Sequence, residues 1–183
     1  MSEETTMASR RIYSGRVLNL DVDTVRFPDG SIGDLEMIRH SGASAVVPLL
    51  SEGAGSDPQV LLIRQFRYAA GGYLYEIPAG RLEADELPVD CAHRELREET
   101  GCVASTITPL LTFLTTPGFT DERIHIFLAT GLTTGKTSHE ATEFIEVCPV
   151  PLTRALAMVQ SGEIQDAKTI IGLLYAAGFR LGA

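Results

Sequence analysis

A chain of 183 residues, 44% of them apolar and 21% charged, carries enough apolar surface to close a core and does not have the composition of a disordered polypeptide. That length suits one compact domain with an N-terminal extension. A net charge of −9 argues against a nucleic-acid backbone as partner, and no apolar run reaches membrane-spanning length. The opening MSEETTMASRR has no apolar h-region, and Cys91, Cys102 and Cys148 lack metal-site or redox spacing. The expectation is a cytoplasmic protein with reduced cysteines, neither membrane-bound nor nucleic-acid-binding.

In chain order, residues 1–9 are expected to be a polar tail. Apolar residues then alternate through Ile12, Val17, Leu20, Val22 and Val25, turn at Phe27-Pro28-Asp29-Gly30, and resume at Leu35, Met37 and Ile38. This is the pattern of a strand meander with a Pro-Asp-Gly turn. Apolar strands are predicted over Ala43–Leu50 and Val60–Phe66, with a loop between them, and a short strand over Tyr73–Pro78. Further strands are expected over Ile107–Leu114, Ile124–Ala129 and Phe144–Val150, with a polar, mobile stretch over Gly131–Thr142. Two helices follow, Thr153–Gln160 and Asp166–Ala177, stopped by Gly162 and Gly178.

The chemistry concentrates between Gly80 and Cys102. Pro88 suits a first helical turn and Gly101 a helix stop, so the segment between them is predicted to be helical. On that helix Glu95, Glu98 and Glu99 stand at i, i+3 and i+4, crowding three carboxylates onto one face. Like charges at that spacing repel, and a hard divalent cation removes the repulsion by taking oxygen ligands. A solvated acidic face, with Arg94–Glu98 as an ordinary i,i+4 pair, is the competing explanation.

The full pattern is G-x5-E-x7-R-E-U-x-E-E-x-G-U, with U apolar. It is filled by Gly80, Glu86, Arg94, Glu95, Leu96, Glu98, Glu99, Gly101 and Cys102. This segment resembles the Nudix box, the loop–helix–loop of hydrolases acting on a nucleoside diphosphate linked to another moiety. The resemblance implies an α/β fold, an α/β/α sandwich with a mixed sheet, here preceded by an N-terminal antiparallel β meander. It divides the chain into residues 1–42, a β-rich extension for dimerisation and substrate, and residues 43–183, the hydrolase domain. Outside the box, Tyr75-Glu76-Ile77-Pro78-Ala79-Gly80 resembles the entry segment of the ADP-ribose pyrophosphatase branch. Pro117, sixteen residues after Gly101, matches a proline of that branch, within Thr-Pro-Gly where Ser-Pro-Gly is usual. Arg64-Gln65-Phe66-Arg67 and the stretch from Gly162 to Thr169 are further matches.

By resemblance, Glu95, Glu98 and Glu99 and the backbone carbonyl of Ala79 are the metal ligands, for Mg²⁺ or alternatively Mn²⁺. Arg94 joins the catalytic set as the cation that orients the glutamates and lowers their pKa values, while Glu86 is a support for the loop or an outer metal contact. The general base of the branch comes from a loop after the box, which here offers Glu143 first and Glu140 second; a metal-held water that needs no protein base is the alternative. Arg67 is expected to pair with the diphosphate, Glu76 and Glu122 with ribose hydroxyls, and Pro117 to line the substrate site. The implied assembly is a homodimer formed through the N-terminal strands. The implied reaction is Mg²⁺-dependent hydrolysis of ADP-ribose to AMP and ribose 5-phosphate. The alternatives are a Nudix hydrolase for another nucleotide sugar such as GDP-mannose, or for an oxidised nucleoside triphosphate, and a non-catalytic nucleotide sensor.

Overall fold

The computed structural model describes residues 5–50, 57–135, 137 and 144–181. They divide into two units. One runs to Gly42 and also takes in Phe113–Arg123; the other comprises Ala43–Thr112 and the chain from Ile124 onward.

The N-terminal unit is a three-stranded antiparallel meander of β1 (Thr6–Ser14), β2 (Asn19–Arg26) and β3 (Ile32–Arg39), in that order across the sheet. The expected polar tail is a strand from Thr6 onward, because its main-chain groups pair with β2 although its side chains stay largely exposed. The turn between β2 and β3 falls where Pro28-Asp29-Gly30 places it. Asp29 accepts from the backbone N–H of Ser31 (2.9 Å), and Gly30 takes the left-handed backbone (φ 85°) that the turn requires.

The buried face of β2 carries Asp21, Asp23 and Val25, rather than Leu20 and Val22. Arg39 reverses the hydropathy rule here, reaching Asp21 (3.2 Å) and Asp121 (3.3 Å) and pairing with Asp23, while Arg11 pairs with Asp21. The Thr116–Asp121 turn is held to β3 by Ile38 N–H donating to Phe119 O (2.8 Å).

The larger unit has two sheets. In the first, β5 (Gln59–Arg67) lies between β10 (Ile145–Pro151) and β6 (Gly72–Glu76), all antiparallel. The second has the order β7 (Ala79–Arg81), β4 (Ala43–Pro48), β9 (Arg123–Thr134), β8 (Cys102–Leu114). It is mixed, since β4 runs antiparallel to β7 and parallel to β9.

Alternation along β4 and β9 gives the mixed sheet two apolar faces. Val46, Phe127 and Ala129 pack with Ala92 and Leu96 of α1 (Pro88–Thr100) on one face. On the other, Val47 and Ile126 meet α3 (Ala167–Tyr175), where a Cβ on Gly172 would sit 3.1 Å from Val47 Cγ2. Helix α2 (Leu152–Ser161) packs against α3, β5 and β10. The layering is the α/β/α sandwich with a mixed sheet expected from sequence.

The ends of β8, β9 and α3 also differ from the sequence reading. Strand β8 begins at Cys102 instead of Ile107, and β9 runs to Thr134, into the stretch expected to be mobile. Long strands propagate a ladder through residues that are polar on one side, so polarity alone did not end them. Helix α3 passes into a π-helical turn over Ala176–Leu181 that carries the chain through Gly178. No helix among the described residues is long and apolar enough to cross a membrane.

Candidate active site

Helix α1 starts at Pro88, with the extended Leu87 as N-cap, and ends at Gly101, whose φ of 72° makes a left-handed stop with its N–H on Arg97 O (2.9 Å). Ser44, fully buried in β4, donates its hydroxyl to Pro88 O (2.7 Å) and pins the start of the helix to the sheet. Burial of Leu96 contributes about 1.5–3 kcal/mol and fixes the rotation of the helix, with Glu99 buried beside it and Arg94 and Glu98 on the far side.

On that face Arg94 is the hub. It forks onto Glu86 through Nε–Oε1 (2.8 Å) and Nη2–Oε2 (2.9 Å). Its Nη1 meets Glu95 Oε1 (2.5 Å) and Glu98 Oε2 (3.3 Å), and Nη2 also donates to Arg81 O (3.1 Å). A bidentate guanidinium–carboxylate pair is among the stronger polar contacts. The Arg94 hydrogen bonds hold the Glu86 carboxyl down at about 2, and Arg94 itself is raised, first by Glu86 and then by Glu95. Arg94 thus contacts Glu86, Glu95 and Glu98 together, with Glu86 as its bidentate partner.

Glu99 is 3% exposed, and its Oε2 accepts from Ala79 N–H (2.9 Å). Gly80 leaves space for Glu95: a Cβ there would lie 1.8 Å from Glu95 Oε1. Replacing Gly80 by Ala should therefore displace the Glu95 carboxylate and lower kcat/KM about 10- to 100-fold, the range seen when the surroundings of a metal ligand are disturbed. Steady-state kinetics on the folded variant checks this, and full activity would separate Glu95 from the chemistry.

Among the described residues no three His, Cys, Asp or Glu side chains are gathered closely enough to enclose a metal ion, and Glu95 and Glu98 converge on Arg94 instead. In donor type the set still fits a hard divalent cation. Every candidate ligand is an oxygen, three of them are carboxylates, and Gly80 opens the backbone beside Glu95. Burial, with the neighbouring Glu86 carboxylate, pushes the Cys91 thiol up to about 12.

A second group of site residues lines a cleft of about 390 Å³ beside the end of β6, formed by Arg67, Leu74, Glu76, Asp166 and Lys168 with Ala69 and Ala70. Glu76 is 1% exposed, and both its oxygens are engaged by Arg67 (Nε–Oε1 2.7 Å, Nη2–Oε2 2.8 Å), with Lys168 adding a further pair to Oε2. Burial raises the Glu76 carboxyl, but Arg67 and Lys168 together outweigh burial and hold it below its ordinary value. Arg67 keeps a partly exposed guanidinium at the cleft. Glu76, expected from sequence to bind ribose hydroxyls, is within the fold the counter-ion of two cations.

Pro117 and Glu122 belong to the N-terminal unit. Pro117 is exposed in its turn, and Glu122 faces His40 (3.4 Å). Glu140 and Glu143 lie outside the described residues. Asp166 and Lys168 lie in the stretch from Gly162 to Thr169 that matches the branch, Asp166 as the expected helix cap, but the sequence reading assigns neither a site role.

Comparison with known proteins agrees with this geometry. The NUDIX domain model matches residues 39–171. An ADP-ribose pyrophosphatase of Bacillus subtilis is 41% identical over 175 residues, 94% of this chain and 92% of that protein. A methanol dehydrogenase activator of Bacillus methanolicus is 37% identical over the same shares. A crystal structure of an ADP compounds hydrolase superposes with a TM-score of 0.80, covering 96% of this chain and 92% of the other at 18% identity, which bears on the fold alone. The chain belongs to the Nudix family. It is a Nudix pyrophosphatase similar to the ADP-ribose pyrophosphatases, a family that characteristically uses a divalent metal ion.

Proposed function

We propose that this protein hydrolyses the diphosphate bond of ADP-ribose, releasing AMP and ribose 5-phosphate, with Mg²⁺ or Mn²⁺ as cofactor. The observation that carries the reading is the complete box assembled around Arg94, in a chain that is similar over nearly its whole length to an ADP-ribose pyrophosphatase.

Glu95, Glu98, Glu99 and the carbonyl of Ala79 would hold the cation, which neutralises phosphate oxygens and lowers the pKa of water. The protein's own part is positioning. Glu86 anchors Arg94, Arg94 holds Glu95 and Glu98 side by side, and Ala79 N–H fixes Glu99. Arg67, its Nε and Nη2 held by Glu76, presents the rest of its guanidinium to a phosphate oxygen of substrate in the cleft. Water then attacks phosphorus, the bridging P–O bond breaks, and the water's proton passes to a carboxylate, for which Glu143 is our first candidate and Glu140 our second.

Pro117 and Glu122 are assigned to the substrate side, and residues 1–42 to a homodimer contact. Support for the dimer is the edge strand β1, where Met7, Ile12 and Tyr13 are each about half exposed.

The test is a turnover panel with Mg²⁺ on ADP-ribose, GDP-mannose, UDP-glucose, NADH and 8-oxo-dGTP, with products separated by chromatography. The expected result is the highest kcat/KM on ADP-ribose, with AMP and ribose 5-phosphate in equal amounts. A higher value on another compound would overturn the substrate and leave the family chemistry standing.

A further inference from the structure

Between β6 and β7 the chain leaves one sheet and enters the other. The β5–β6 ladder ends at Glu76, paired with Ile63, and the β4–β7 ladder begins at Ala79, paired with Ala45. Ile77 and Pro78 make the crossing. Pro78 has no N–H, so Ile77 supplies the only main-chain donor of the crossing, at a residue that is fully buried.

That donor goes to a side chain far along the sequence. Ile77 N–H donates to Thr169 Oγ1 (2.8 Å), and the fully buried Thr169 donates its hydroxyl to Asp166 Oδ2 (2.6 Å). Asp166 Oδ2 also accepts from Thr169 N–H (2.9 Å) as the N-cap of α3. The hydroxyl is thus used in both directions and its orientation is fixed by a carboxylate. The residues on either side of the crossing are the ones the proposed chemistry uses. Glu76 sets Arg67 on one side, and on the other Ala79 fixes Glu99 and offers its carbonyl.

From this we infer that Thr169 is a positioning residue of the active site: its hydroxyl, oriented by Asp166, fixes the Glu76–Ala79 crossing and so sets the metal-binding end of the box. Lys168, one residue before, pairs with both Glu76 and Asp166 and ties the same helix start to the same crossing. The inference rests on the proposed function only for the identity of the ligands; the role of Thr169 concerns the backbone that carries them.

The experiment compares Thr169→Val, Thr169→Ser and, as a control, Thr153→Val. Thr153 donates its hydroxyl to Asp57 Oδ2 (2.6 Å) at the exposed start of α2, a bond of the same length and kind away from the box. Manganese affinity is measured without substrate by electron paramagnetic resonance, followed by kcat and KM on ADP-ribose with Mg²⁺. Thr169→Val is expected to bind Mn²⁺ about 10- to 100-fold more weakly and to lose kcat/KM by a similar factor. Thr169→Ser should recover both, and Thr153→Val should bind Mn²⁺ as the wild type does.

Wild-type Mn²⁺ affinity in folded Thr169→Val overturns the inference, as does an equal loss in Thr153→Val, which would mark general destabilisation. If Thr169→Val does not fold, Asp166→Ala decides in its place: it keeps the threonine but frees its hydroxyl, so a partial loss of Mn²⁺ affinity supports the inference and none overturns it. A wild type that binds Mn²⁺ but leaves ADP-ribose intact refutes the proposed substrate, and the Mn²⁺ comparison still decides the role of Thr169.

Discussion

Glu99→Gln is expected to lower turnover about 10²- to 10³-fold, the scale of removing one preorganised charge or donor from an active site, while leaving the fold intact. The two halves of that expectation come from the same geometry. The side chain is almost fully buried and its Oε2 accepts a hydrogen bond from Ala79 N–H, which an amide oxygen can accept equally well. Size and the hydrogen bond from Ala79 survive the change, while the charge goes. Removing a buried negative charge is neutral or favourable to stability when its partners are still met, so the melting temperature should stay or rise. Catalysis has the opposite sensitivity, since a neutral amide is a poor ligand for a hard cation. Thermal unfolding by circular dichroism, Mn²⁺ titration and single-turnover kinetics separate the effects. A variant with wild-type turnover would remove Glu99 from the metal assignment, whereas one that fails to fold would show that the charge serves the core.

The box was legible in the sequence because its determinants are local. Pro88 and Gly101 mark the helix ends, and the i, i+3, i+4 spacing puts the glutamates on one face whatever surrounds them. Gly80 was legible as a motif position but not as a cause. Its reason, the Glu95 oxygen lying where a Cβ would go, involves a residue fifteen positions on and appears only in three dimensions. The Glu76 cluster was half legible. Arg67 and Glu76 lie at either end of one hairpin, nine residues apart, but Lys168 reaches Glu76 across 92 residues of sequence, and no periodicity announces such a pair.

The N-terminal sheet departs from hydropathy in a different way. Along Asp21-Val22-Asp23-Thr24-Val25 both aspartates are buried with Val25, while Val22 is only partly buried. The choice of face was settled by Arg39, sixteen and eighteen residues downstream. Pairwise neutralisation is a tertiary property, and hydropathy patterning is blind to it.

Glu76→Gln should cost about 3–5 kcal/mol of stability, the range for breaking a buried ion pair by removing one partner. The low end is the better expectation, because Lys168 keeps Asp166 and the partly exposed Arg67 can turn to water. The loss should also depend on pH. Burial raises the Glu76 carboxyl, but Arg67 and Lys168 more than offset this and hold it below 4.5 in the folded protein. A carboxyl whose folded pKa lies below its unfolded one contributes stability that is complete above the unfolded value and disappears as pH falls through the folded one. The gap between wild type and Glu76→Gln in urea unfolding is therefore expected to be full at neutral pH and to close progressively below 4.5. Adding Lys168→Met to Glu76→Gln should recover part of the loss, since it removes one of the two cations that lose Glu76. A gap below about 1 kcal/mol at neutral pH, the range of a surface pair, or one that does not narrow in acid, would show that the carboxylate is not holding Arg67 and Lys168. The same substitution frees the Arg67 guanidinium from its bidentate seat, so KM for the diphosphate substrate should rise even where the protein stays folded. Stability and substrate binding are thus expected to fail together here, because one buried carboxylate orders the hairpin end and aims the arginine at the cleft.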